Sequence, residues 1–72
     1  MTAEQIARAR WVENSRTTMI LKCCIKDGSA VLATITKHHT FLFSWELEAD
    51  TSIGGHAQTR HTAMYRARKA LR

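Results

Sequence analysis

Proline is absent from these 72 residues and glycine occurs only three times. That excludes collagen-like and Pro/Gly-rich low-complexity chains. Apolar residues make up 44% and charged ones 24%, a balance that can support a buried core rather than a disordered segment. Long hydrophobic runs are missing too. The longest, "MIL" and "AVLA", fall far short of the roughly 20 residues that span a membrane as a helix. The opening "MTAEQIARAR" lacks the apolar stretch of a secretory signal. A cytoplasmic location is therefore expected, with Cys23 and Cys24 reduced.

The most telling absence is that no carboxylate follows Asp50. Up to that point Arg8, Arg10, Arg16, Lys22, Lys26 and Lys37 balance Glu4, Glu13, Asp27, Glu46, Glu48 and Asp50. Beyond it stand Arg60, Arg66, Arg68, Lys69 and Arg72, so this segment carries the whole net charge of +5. A localised cationic segment attracts polyanions or acidic protein surfaces.

A chain this short forms one domain, residues 1–72, near the lower size limit for a single core. Thr2 and Gln5 have capping-box spacing, and Ile6, Ala9 and Val12 recur at helical spacing. Together they predict a helix over 3–13. "TTMILKCCIK" alternates as a strand, with Met19, Leu21, Cys23 and Ile25 on one side. "KDGS" signals a tight hairpin turn, and "AVLATITK" returns as a second strand. "HH" marks the next turn. "TFLFSWELEA" alternates most clearly, with Phe41, Phe43, Trp45 and Leu47 facing inward. Residues 51–58 read either as a loop or as a fourth strand centred on Ile53. Thr59 suits an N-cap, and Ala63, Ala67, Ala70 and Leu71 form the inward stripe of a closing helix. The expected fold is α+β: an N-terminal helix, three or four antiparallel strands, and a C-terminal helix packed on one sheet face.

Sites follow from what this fold leaves outward. Arg60, His61, Tyr65, Arg66, Arg68, Lys69 and Arg72 are the candidate binding residues, on a helix about 20 Å long. Cations near a helix C-terminus are also favoured by the helix dipole, by ~0.3–1 kcal/mol each, which explains part of this run without a ligand. Metal binding requires converging ligands. Adjacent strand residues such as Cys23–Cys24 and His38–His39 point to opposite faces, so no metal and no cofactor is expected. Glu46 and Glu48 share a strand face without a catalytic partner, and "IGGHA" lacks the strand–loop–helix context of a nucleotide motif. An enzyme is not expected.

The α-β-β-β-α order and the length resemble a double-stranded RNA-binding domain. That family closes on Gly-x-Gly-x-Ser-Lys-Lys-x-Ala-Lys before an alanine-rich helix. "GHAQTRHTAM" places Gly55, Ala57, Thr59, Arg60, His61 and Ala63 at those positions, with Met64 at the third basic one. "KDGS" stands where the family carries a Gly-Pro-x-His loop. The resemblance implies phosphate contacts from Arg60 and His61. The small basic chain with a strand–strand–helix end also looks like accessory proteins of bacteriophages, some of which are anti-CRISPR or other host inhibitors.

Two functions are expected from this reading. One is a non-enzymatic module binding DNA or RNA through the cationic helix. The other is an inhibitor that binds an acidic or nucleic-acid-binding host protein through the same face. Homodimerisation through the outward Ile20 and Leu42 is compatible with either.

Overall fold

The computed structural model describes residues 3–25 and 28–71. Helix α1 (Ala3–Arg8) is followed by strands β1 (Arg10–Glu13), β2 (Thr18–Ile25), β3 (Gly28–His39), β4 (Leu42–Leu47) and β5 (Gly54–Ala57), then helix α2 (Arg60–Ala70). The strands lie in chain order in one antiparallel sheet. Short connections suffice for such a meander, because each strand pairs with its chain neighbour. The fold is α+β, with α2 resting mainly on β4 and also on β3 and β5. No helix among the described residues is long and apolar enough to cross a membrane.

The sheet has five strands, not three or four, because short strands form at each end. Residues 3–13 do not make one helix. The helix stops at Arg8, and Arg10–Glu13 pairs with β2, setting Trp11 opposite Leu21 and Val12 opposite Ile20. Ile6 and Ala9 do reach the core, whereas Val12 is 41% exposed. Trp11 and Val12 suit a pleated, half-buried edge better than a third helical turn. Main-chain carbonyls at the end of α1 also accept from another element, beside the Ala9 amide that donates to Ile6 at 3.2 Å. Arg68 Nη1 donates to the Ile6 carbonyl at 2.9 Å and Nη2 to the Ala9 carbonyl at 2.9 Å.

The turn expected at His38–His39 falls later, because β3 continues through both histidines with a register shift between Lys37 and His39. Phe41 then lies in the turn and is 71% exposed, not inward. Phe43 and Leu47 are buried on the inward face, with Trp45 partly buried between them. The bulge absorbs one residue, so pairing resumes with Leu42 opposite His39.

At the other edge, "IGGHA" becomes β5, paired with β4 as Trp45–Gly55 and Glu46–Gly54. Ile53 itself lies before the strand. A methyl group at Gly54 would overlap the Trp45 carbonyl oxygen, and one at Gly55 would press on the indole at 3.3 Å. Both glycines are there to let β5 lie against Trp45. Gly28 opens β3 with φ of +140°, a conformation that side chains rarely adopt. Lys26 and Asp27 of the expected hairpin turn, and Thr2 of the expected cap, lie outside the described residues.

Two linked clusters form the core. Ala9, Leu21, Cys23, Leu32, Ala33, Leu47 and Ala67 gather at the α1 end. Ile35, Phe43, Ala57 and Ala63 gather at the other, with Trp11 and Trp45 packed against both. Ala63 and Ala67 are fully buried, and their small side chains bring the axis of α2 close to the strands. The opposite sheet face carries Ile20, Thr34, Thr36, Ser44 and His56. No helix among the described residues covers it.

Candidate functional site

Helix α2 is anchored at its start by Thr59. That residue is extended (φ −130°, ψ 153°), and its Oγ1 accepts from the Thr62 amide at 3.2 Å. With Ala63 and Ala67 directed at the sheet, a helical rotation of about 100° per residue fixes every other direction. Arg66 flanks β5, Arg68 flanks α1, and Arg60 falls at the sheet end. His61, Tyr65 and Lys69 form the outward row.

These positions separate the sequence candidates. The Arg68 guanidinium is committed to main-chain carbonyls of the α1 end: Ile6 and Ala9, with Ala7 at 3.5 Å. It thus places a cation at the C-terminus of α1, where partial negative charge collects. Arg66 Nη1 donates to the His56 carbonyl at 2.9 Å and ties α2 to β5. Lys69 Nζ lies 6.0 Å from the Tyr65 ring centre, and Tyr65 is 64% exposed. His61 is exposed. Arg72 lies outside the described residues. Among the described residues, the outward row of His61, Tyr65 and Lys69 holds one Lys and no Arg.

Arg60 behaves differently. Its guanidinium carbon stands 6.0 Å from the Phe43 ring centre, and its side chain lines a pocket of about 100 Å³ shared with Arg16 and Lys37. Glu13, Ser15, Thr17, Thr18, Met19, Ile35 and Phe43 complete the walls. The three cations come from three elements. Arg16 sits in the β1–β2 connection, where the Asn14 and Ser15 amides donate to the Thr18 carbonyl at 3.0 and 3.2 Å. Ser15 and Thr18 hydroxyls are 2.7 Å apart in the same turn. Its fold against β3 is fixed by the Lys37 amide, which donates to the Thr17 carbonyl at 2.6 Å. Lys37 continues the inward alternation of Ala33 and Ile35 to the end of the sheet.

Among the described residues the one ion pair is the exposed Arg8–Glu4 contact at 2.7 Å. Arg16, Lys37 and Arg60 therefore share a concavity with a single acid, Glu13, and none is neutralised at contact distance. Like charges drawn together this way raise the local positive potential, and α2 adds to it because its first turn holds no acid. Sequence reasoning reached Arg60 but missed its partners. Arg16 and Lys37 are remote from it along the chain, and only sheet pairing brings them near. The alternation Ala33, Ile35, Lys37 was the available signal, since it puts a lysine where the next core residue would stand.

The open sheet face carries a separate polar group. His38 Nε2 and Ser44 Oγ are 2.8 Å apart, and the His38 and His56 rings are 6.4 Å apart. Ser44 and His56 join Thr34, Thr36 and Glu46 around a shallow depression of about 450 Å³. No three His, Cys, Asp or Glu residues converge among the described residues. Cys23 is buried and Cys24 exposed, as adjacent strand positions require. Asp50 closes the β4–β5 turn. Hydrogen bonds from the Ser52 hydroxyl and amide hold its carboxyl below the usual carboxylate pKa.

No family model, curated protein or solved structure matches this chain.

Proposed function

We propose that this chain is a non-enzymatic, cytoplasmic binding module for nucleic acid, gripping phosphates at the end of the sheet where α2 begins. One observation carries the reading. Arg16, Lys37 and Arg60 converge from separate elements on one concavity without a carboxylate at ion-pair distance. Folding three unpaired cations together costs stability through mutual repulsion, and a phosphate offsets that repulsion directly. Arg60 and His61 are also the positions at which the resemblance to double-stranded RNA-binding domains implies phosphate contact. Lys69 and Tyr65 extend the surface along α2.

Fluorescence anisotropy with labelled RNA and DNA, single-stranded and duplex, tests this reading. Affinity should fall linearly with salt on a log–log plot between about 50 and 200 mM, as bound counterions are released. Absence of binding to every form at the lowest salt would overturn it. A salt-resistant complex with an acidic protein in place of nucleic acid would assign the same surface to an inhibitor.

A further inference from the structure

We infer that the Arg16–Lys37–Arg60 pocket takes the terminal phosphate of a nucleic-acid strand in preference to a phosphodiester within it. The inference rests on the nucleic-acid reading above and names the group this site holds.

Size is the first argument. About 100 Å³ accommodates several water-sized groups, at ~10–15 Å³ each, which suits a tetrahedral oxyanion. It is well below the ~300–1,000 Å³ of clefts that take drug-sized molecules, so the pocket suits a small group and not a whole nucleotide. The walls agree with this division. Cations and the hydroxyl-bearing residues Ser15, Thr17 and Thr18 ring the space, while Met19, Ile35 and Phe43 supply an apolar lining.

Valence is the second argument. An internal phosphodiester offers two free oxygens and one negative charge, and the strand must leave on both sides. A terminal phosphate presents three free oxygens and about −1.5 to −2 charge near neutral pH. Three cations arriving from the β1–β2 turn, from β3 and from α2 match three oxygens approached from different directions. They are opposed by Glu13 alone, so the site's net charge of two positives balances a phosphate dianion. A concave pocket at the end of a sheet admits the end of a strand more readily than its middle.

The test compares otherwise identical labelled oligonucleotides that carry a 5′-phosphate, a 3′-phosphate or hydroxyls at both ends. Wild-type protein should bind at least one phosphorylated form about tenfold or more tightly than the hydroxyl form. That preference should disappear in Arg16→Gln and in Lys37→Gln, variants at exposed or half-buried positions that leave the fold intact. Equal binding of all three oligonucleotides would overturn the terminal-phosphate inference while leaving nucleic-acid binding in place. A preference that survives both variants would likewise overturn it, by locating the phosphate elsewhere. Failure of every oligonucleotide to bind would overturn the functional reading together with the inference.

Discussion

The two ends of α2 use the same side chain in opposite ways. Near its C-terminal end, Arg68 and Arg66 reach back to the main-chain carbonyls of Ile6, Ala9 and His56. The charge of Arg68 is turned inward against the end of α1, while Arg66, itself exposed, ties β5 to the helix through one hydrogen bond. At the N-terminal end, Arg60 meets no carbonyl or carboxylate and stands beside Arg16 and Lys37 around an open pocket. A run of basic residues in sequence is therefore not a surface. What each cation can do for a ligand depends on which acceptors its neighbours already supply.

Removing the inward cation should have the largest effect. Arg68→Ala removes the charged donor from the Ile6 and Ala9 carbonyls and should lower unfolding free energy by about 1.5–3 kcal/mol, as for hydrogen bonds to a charged group. Denaturant unfolding measures this loss, against a total of about 4–11 kcal/mol for a chain of this size. The folded fraction should bind oligonucleotide as the parent does. A loss of affinity without a loss of stability would show that Arg68 faces the ligand after all.

The double variant Arg16→Gln/Lys37→Gln should do the reverse. Stability should not fall and should rise by up to about 0.5 kcal/mol as the mutual repulsion is relieved. The salt dependence of binding should become shallower, by about one unit of log–log slope for each phosphate no longer gripped. An unchanged slope would separate the pocket from the binding surface. Arg66→Gln should cost less than about 1 kcal/mol, since its one hydrogen bond is exposed, and a thermal melt resolves that loss.

The smallest effect belongs to Asp50→Asn, which raises net charge by one at a distance from the pocket. If geometry and not net charge governs binding, affinity should not change measurably. The variant also has a pH signature. Because the carboxyl's folded pKa lies below its ordinary value, its contribution is present above that ordinary value and is lost as pH falls through the lowered one. Parent and variant melting curves should therefore differ near neutral pH and converge under strongly acidic conditions.

The sequence made α2, its Thr59 cap, its alanine stripe and the alternation of β2 and β4 legible, because each is a local pattern with a single reading. Short edge strands were harder. Arg10–Glu13 carries a helical spacing that is overridden by pairing with β2 and by a guanidinium from the far end of the chain. The strand at Gly54–Ala57 hides behind two glycines whose purpose is visible only against Trp45. Phe41 was misplaced by the bulge at His38, which moves the turn without any marker in the residues themselves. The candidate site was legible only in part for the same reason. Arg60 stands out by its charge, but Arg16 and Lys37 join it through register, which composition does not encode.

Amide NMR of the isotopically labelled protein, titrated with a 5′-phosphorylated oligonucleotide, decides most directly between the two ends of the helix. The geometry predicts the strongest shifts at residues 15–18, at Lys37 and at Arg60–His61, with Arg66 and Arg68 little moved. Shifts concentrated instead on Tyr65, Arg66, Arg68 and Lys69, with residues 15–18 and Lys37 unmoved, would contradict it and return the ligand to the outward face of α2.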